Sequence, residues 1–96
     1  MLRFAGDEDR STQSRRRRAL TRAISAQADV VVDLTELVFA DASLMLDFAM
    51  LSRRLRARGR ALLLQGAQPQ IQTLIELVGL HRLPGVRFEG PAPATA

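Results

Sequence analysis

Cysteine, tryptophan, tyrosine and lysine are all absent from this chain of 96 residues. Without cysteine there are no disulfides, thiolate nucleophiles or cysteine-based zinc sites. The four phenylalanines are the only aromatic side chains, so stacking platforms for single-stranded nucleic acid are scarce. No apolar run approaches the roughly 20 residues that span a bilayer, and the first residues lack the charged-then-apolar order of a secretion signal. We therefore expect no membrane insertion and a location in the cytoplasm.

Motifs that carry catalytic chemistry are also missing. The single histidine, His81, has no paired nucleophile in the sequence, and we expect it to lie exposed in a turn. The six glycines are scattered and form no phosphate-binding loop. The acidic run Asp7-Glu8-Asp9 lacks the spacing of a calcium loop, so a solvated turn is the better interpretation. We predict no enzyme activity, no cofactor and no metal.

The basic charge is carried by arginine alone. Fourteen arginines against ten acidic residues give a formal net charge of +4. They concentrate in Arg15–Arg18 with Arg22, and in Arg53–Arg60. Lysine-free, alanine-rich usage is typical of a GC-rich coding bias, so it is weak support for a nucleic-acid partner. A solvated helix start is the favoured interpretation of the first run, because base-reading motifs and aromatic residues are missing.

Strand and helix patterns alternate along a single domain, residues 1–89. Hydrophobic spacing predicts four strands: Leu2–Ala5, Asp29–Leu34, Ala61–Gln65 and Val86–Phe88. Hydrophobic spacing, caps and glycines predict three helices between them. The first runs from hydroxyl caps at 11–14 to about Ala26, the second is capped by Asp41 and ends near Arg58, and the third runs from Pro69 to Val78 and is closed by Gly79. This order predicts an α/β fold: a small mixed, largely parallel β-sheet of about four strands, with three helices packed against it. Residues 90–96, rich in proline and alanine, are predicted to form a disordered tail.

Four segments in this order resemble the STAS domain of bacterial anti-sigma factor antagonists. Val30–Ser43, which reads VVVDLTELVFADAS, is similar to the family's strand and to the DS[ST]GL motif that enters its second helix. Arg53–Leu64 resembles the basic helix end, glycine and next strand, Pro69–Leu80 the third helix, and Gly6–Asp9 the segment before the first helix. Each segment is a weak signal alone, but their common order over about residues 2–89 is fairly specific. The resemblance implies a STAS-like fold.

In that family, the resemblance implies, the serine directly after the aspartate is phosphorylated by an anti-sigma factor with a serine-kinase-like ATPase fold. The unphosphorylated form binds this kinase and frees a sigma factor. Here Ala42 follows Asp41 and has no hydroxyl, so the family's phosphorylation site is lost. Ser43 is a candidate displaced phosphoacceptor, although a capping or exposed serine is the favoured interpretation. The leading hypothesis is a non-catalytic interaction module that binds such an anti-sigma factor and regulates sigma-factor-dependent transcription.

The predicted partner-binding surface lies at the start of the second helix, at Asp41, Ala42, Ser43, Leu44, Met45 and Leu46. A helix has only one core face, so Met45, Leu46, Ala49 and Met50 are not all expected to be buried together with Leu44, Phe48 and Leu51. They form either the rim of a small core or an apolar docking patch, and the patch is favoured. Asp47 interrupts this patch.

Two other functions and a homodimer are also considered. One alternative is a STAS-like adaptor subunit of a membrane transporter or multi-protein signalling complex, and the other is an arginine-rich nucleic-acid binder. The family usually has a strand ahead of Leu2 and tends to be apolar at Arg15 and Arg16. A first edge strand that is missing or truncated would expose the sheet edge, which favours pairing with a second copy.

Overall fold

The computed structural model describes residues 1–89, so the predicted tail, residues 90–96, lies outside the described residues. Within residues 1–89 the chain forms four strands: β1 (Leu2–Glu8), β2 (Val30–Ala40), β3 (Leu62–Gln65) and β4 (Val86–Phe88). Three α-helices connect them: α1 (Gln13–Ser25), α2 (Ala42–Arg56) and α3 (Pro69–Val78). Turns of 3-10 helix at Arg10–Thr12 and Leu80–Arg82 precede α1 and follow α3. Each predicted helix and strand is therefore present, with some differences in where it ends.

The strands pair in the order β1-β2-β3-β4, and every pairing is parallel. Parallel neighbours that follow each other in sequence require a crossover, and each helix supplies one. The helix α2 contacts both α1 and α3, so the three helices lie side by side against the sheet. The predicted α/β fold is confirmed, with a sheet that is parallel throughout. Across residues 1–89, no helix has both the length and the apolar character needed to cross a membrane.

β1 and β2 extend beyond the predicted strands because they pair with each other over most of their length. Their register runs from Leu2 opposite Val32 to Glu8 opposite Ala40, with shifts after Arg3 and Gly6. The C-terminal half of β2, predicted as a connection, is therefore strand, and so is the end of β1, predicted as a turn. At the end of β1, Gly6, Asp7 and Glu8 disfavour a strand locally, and pairing with the distant β2 overrides that preference. β1 is thus a seven-residue edge strand.

The core lies between one face of the sheet and the helices. Val30, Val32 and Leu34 of β2 are buried while the residues between them are half-exposed, the period of two expected of a strand covered on one face. The ring of Phe48 packs edge to face on Phe4 of β1, with 5.5 Å between ring centroids. The predicted apolar stripe of α2 is fully in this core: Leu44, Phe48, Leu51 and Leu55.

The helix ends follow the predicted signals in α3 but not in α1. Pro69 occupies the first turn of α3, and Gly79 closes it in the left-handed conformation with φ of 76°. Before α1, Asp9 caps the 3-10 turn by accepting from the Ser11 backbone N–H at 2.8 Å. The Thr12 hydroxyl in turn accepts from the Asp9 backbone N–H. Hydrogen bonds from the Ser11 hydroxyl and backbone hold the pKa of Asp9 below its usual value.

Candidate functional site

Asp41 caps α2, as the sequence predicted. Its backbone is extended, and its carboxylate accepts hydrogen bonds from the Ser43 backbone N–H at 2.9 Å and from the Ser43 hydroxyl. The Asp41 backbone N–H donates to the Glu8 carbonyl at 3.1 Å, which ties the start of α2 to the end of β1. The bond from the Ser43 hydroxyl is the largest cause that lowers the pKa of Asp41. A fixed, ionised carboxylate therefore stands at the N-terminus of α2.

The exposed part of this site is small. Ala42 is exposed at the first position of the helix, and Leu46 is 65% exposed one turn later. Ser43 and Asp41 are half-buried beside them. We use the term docking surface for the exposed part of the predicted partner-binding site: Asp41, Ala42, Ser43 and Leu46, which present a carboxylate edge, a methyl group and an isobutyl group to solvent.

Two of the predicted contact residues, Leu44 and Met45, are not on this surface. Leu44 is fully buried, and Met45 is only 2% exposed. Leu44 faces the sheet, whereas Met45 lines the cleft that separates α2 from Leu80 and Leu83 after α3. The expectation failed because α2 is the central helix: it is covered by the sheet below and by its neighbours at its sides. A helix in that position buries residues on more than one of its faces.

Arg16 is the largest departure from the sequence prediction. It belongs to the arginine run expected to be solvated, but it is only 3% exposed. Its guanidinium Nε donates to Asp47 Oδ2 at 2.8 Å, and its Nη1 donates to Glu8 Oε1 at 2.9 Å. Its Nη2 donates to the Ser43 hydroxyl oxygen at 3.1 Å. Asp47, expected to interrupt an exposed patch, is therefore buried as the partner of Arg16.

We call these residues the Arg16 cluster: Arg16, Glu8, Thr12, Ser43 and Asp47. Thr12 completes it by donating its hydroxyl to Glu8 Oε1 at 2.8 Å, and its oxygen lies 3.3 Å from Arg16 Nη1. A planar guanidinium has donors on several sides, so one side chain can hold β1, the turn before α1, and α2 together. The cluster fixes the start of α2 against the rest of the fold.

Pattern reasoning missed this cluster, although two signals were present. Arg16 lies four residues before the buried Leu20, which places it on the inward face of α1. Asp47 is the only acidic residue in α2 and stands among its apolar positions. An arginine and an aspartate on the inward faces of two neighbouring helices predict a buried pair.

Ser43, the candidate phosphoacceptor, has its hydroxyl engaged on both sides. The hydroxyl donates to Asp41 and accepts from Arg16 Nη2 at 3.1 Å. A phosphoryl transfer to this oxygen would have to break the bond to Asp41 and displace Arg16 from its place. Ser43 therefore supports the cap, while the capping residue itself is Asp41.

Other predicted features are placed elsewhere. His81, expected to be exposed, is half-buried, and its Nδ1 has no hydrogen-bond partner among the described residues. Asp7, Glu8 and Asp9 do not act as one group, because Glu8 joins the Arg16 cluster and Asp9 caps the turn. Within residues 1–89, no three histidine or acidic side chains come together in a way that could hold a metal ion.

Comparison with known proteins agrees with this architecture. No curated protein matches the chain. The sequence model of the family described as "Mlab, STAS domain" matches residues 1–86, which is nearly all of the part that folds into the sheet and helices described above. STAS domains are protein-interaction modules and are in general non-catalytic, in keeping with a site that consists of a helix start and a structural cluster. By its order of strands and helices, its capped second helix and this match over most of its length, the chain belongs to the STAS domain family.

Proposed function

We propose that this STAS domain is a non-catalytic docking module that binds a partner protein through the start of α2 and stays permanently in its unmodified state. The observation that carries the proposal is Ala42. It is exposed beside the capping Asp41, at the position where the family's motif has the phosphorylated serine, and it has no hydroxyl. The neighbouring Ser43 is held by Asp41 and Arg16 and serves the fold.

The absence of a phosphate matters for the electrostatics of this surface. A phosphoserine adds about −1.5 to −2 charges at neutral pH. At position 42 a phosphoserine would stand beside the carboxylate of Asp41. A partner surface that fits the alanine methyl group would then face two adjacent negative groups. With alanine there, the surface keeps one constant charge state.

We propose a kinase-like anti-sigma factor as the partner, with regulation of sigma-factor-dependent transcription in the cytoplasm as the outcome. The second candidate is an adaptor subunit of a membrane transporter or multi-protein signalling complex. Loss of the switchable residue is also the observation that supports this second candidate, because an adaptor needs a permanent contact and no release step. An arginine-rich nucleic-acid binder remains the third and least favoured.

The first test is capture of the partner by the full chain, compared with two leucine variants. Leu46→Asp places a charge on the docking surface, and we expect it to weaken capture about tenfold or more. Leu77→Asp is the matched control, since Leu77 is 79% exposed on α3 and lies outside the docking surface. Both variants are expected to keep the urea-unfolding midpoint of the wild type, because neither side chain is in the core.

The second test uses the captured partner with ATP and intact-mass spectrometry. We expect no added phosphate on the wild type and one phosphate on Ala42→Ser if the partner is kinase-like, with loss of binding after modification. Phosphorylation of wild-type Ser43 would contradict the proposal. An ATPase that binds equally with and without ATP and modifies neither protein would identify the adaptor. Equal capture by Leu46→Asp and wild type would show that the partner does not bind at the docking surface.

A further inference from the structure

The charge of the molecule is strongly polarised. α1 and α2 together contain eight arginines and one acidic residue, Asp47. Asp47 is buried against Arg16, so no exposed carboxylate remains on either helix. The two helices thus have a formal charge of +7 within a chain of +4, and the rest of the chain is net acidic at −3. Seven of these arginines are exposed: Arg15, Arg17, Arg18, Arg22, Arg53, Arg54 and Arg56.

A groove of about 280 Å³ runs between α1 and α2 within this basic surface. Its lining is half apolar and half polar. The buried Leu20 and Leu51 and the half-buried Ile24 form an apolar floor, the exposed Met50 stands on its side, and the polar members are Arg17, Thr21, Asp47 and Arg54. From Arg17 to Ile24 it follows eight residues of α1, a rise of about 10 Å or two helical turns. An apolar strip of this length is a receptor for one face of a short amphipathic segment.

Cations stand at both ends of the groove. At one end is Arg17, whose side chain is 60% exposed, with its Nε 3.7 Å from Asp47 Oδ1. At the other end is Arg54, which has no acidic partner among the described residues. Beyond it, Arg58 and Arg60 donate to the Ile24 carbonyl at the end of α1. The one carboxylate that lines the groove, Asp47, is already neutralised by Arg16.

We propose that this groove is a second interaction surface, which binds an acidic amphipathic segment of a partner protein: an apolar helix stripe about two turns long, flanked by glutamate or aspartate. The basic rim supplies charge complementarity, and the apolar floor supplies the buried contact. The floor also favours a peptide over nucleic acid, because a phosphate backbone would leave the exposed apolar surface of Ile24 and Met50 uncovered. The surface is separate from Ala42 and Leu46, so it adds a binding site to the proposed function and does not depend on it.

The experiment is a titration of the full chain with synthetic peptides of about 15 residues. The first probe has leucines at i, i+3, i+4 and i+7 with glutamates on both flanks. The second has glutamines in place of the glutamates, and the third is polyglutamate of equal charge. We expect the first to bind most tightly, about tenfold better than either of the others, and to weaken as NaCl is raised. Amide chemical shifts are expected to move at Thr21, Ile24 and Met50.

Variants locate the site. The double variant Arg17→Glu with Arg54→Glu is expected to lower the affinity for the first peptide about tenfold or more. The control is Arg82→Glu with Arg87→Glu, an equal charge change at exposed arginines outside α1 and α2, and its affinity is expected to stay within about twofold of the wild type. Met50→Gln is expected to weaken the leucine peptides and leave polyglutamate unchanged. Leu46 does not line the groove, so the uncharged change Leu46→Asn is expected to keep peptide binding within about twofold, which separates this surface from the docking surface.

Three outcomes would overturn the proposal. Equal binding of polyglutamate and the leucine peptide would reduce the surface to simple charge attraction. Displacement of the peptide by random duplex DNA at equal charge concentration would assign it to nucleic acid. Shifts confined to residues outside the groove would place the peptide elsewhere.

Discussion

At the scale of single residues, the same type of side chain has opposite roles in adjacent positions. Arg15 and Arg17 are exposed, while Arg16 between them is buried against two carboxylates. A residue in a helix turns about 100° from its neighbour, so a run of arginines necessarily sends one of them inward. Because the inward arginine meets Asp47, the sequence run that resembles a solvated tract contains one structural residue.

The first residue-scale prediction concerns this buried pair. Arg16→Met is expected to lower the free energy of unfolding by about 3 kcal/mol, because it leaves Asp47 buried without its cation. Arg16→Met with Asp47→Leu is expected to recover more than half of that loss, since an apolar pair of similar volume has no charge to desolvate. Urea denaturation followed by circular dichroism measures both.

Arg17→Met is the matched control for this series. Its side chain is 60% exposed and its nearest carboxylate oxygen is 3.7 Å away, so we expect a change within about 0.5 kcal/mol. If Arg16→Met were as stable as Arg17→Met, the cluster would have no role in holding α2. A double variant that is no more stable than Arg16→Met would show that Glu8 and Ser43, not Asp47, are the partners that matter.

At the scale of helices and strands, elements with local signals were predictable and those that depend on distant pairing were not. α2 and α3 begin and end near the predicted residues because Asp41, Pro69 and Gly79 are chemical signals within the segment itself. The second half of β2 contains strand formers but lacks period-two alternation, since its buried residues Leu34, Leu37 and Ala40 are three apart, and its strand state is completed by pairing with β1. Likewise, the burial of Met45 depends on the segment after α3, which lies more than thirty residues away in sequence.

The candidate site likewise has a part that was predictable from a local motif and a part that depends on the assembled fold. Asp41, Ala42, Ser43 and Leu46 were identified from the motif, and the structure places them together at the start of α2. The members of the Arg16 cluster come from four separate elements (β1, the turn before α1, α1 and α2), so their proximity is a property of the assembled fold. A single sequence indicates it only through an unexpected charge at an inward position.

The element-scale prediction concerns the turn after β3. Gly66 has φ of +78°, and a Cβ placed there would lie 2.3 Å from the Thr35 hydroxyl oxygen. Gly66→Ala therefore combines left-handed strain with a steric clash. Gly79 has nearly the same φ, +76°, with open space around it, so Gly79→Ala shows the strain alone, about 1 kcal/mol.

We expect Gly66→Ala to lower the free energy of unfolding by about 1 kcal/mol more than Gly79→Ala, measured by urea denaturation. Thr35→Ala removes the hydroxyl oxygen that clashes. The free energy of unfolding of Gly66→Ala with Thr35→Ala is therefore compared with that of Thr35→Ala alone. In that background we expect the cost of Gly66→Ala to fall to that of Gly79→Ala. An equal cost for the two glycine variants in the wild-type background would mean that the Thr35 side chain moves aside freely.

At the scale of the whole molecule, its surfaces differ in character. α1 and α2 form a basic surface, the start of α2 presents the docking surface, and β1 is an edge of the sheet. The two register shifts in β1, together with Arg3 and Asp7 on it, are features that discourage continuous pairing with another strand. The homodimer predicted from the exposed edge remains a prediction, and β1 is where it would form.

We expect such a dimer to be weak, since the edge is irregular and charged. Light scattering after size exclusion should show a mass that rises with concentration, at loadings of about 100 μM or more. Hydrogen exchange at the same concentrations should slow at β1 amides and leave β4 unchanged. A strictly monomeric mass at the highest concentration would contradict the dimer.

The way Arg16 spans three elements has a consequence for cooperativity. Glu8 lies in the edge strand and Asp47 lies in the central helix, and both carboxylates share one guanidinium. Fraying of the edge strand therefore removes a tether from the helix that presents Ala42 and Leu46, and we expect the opening of the two elements to be coupled. A molecule that pulls the first strand away from the sheet is therefore expected to loosen α2, and tight binding at α2 is expected to protect the strand in return, because such coupling is reciprocal.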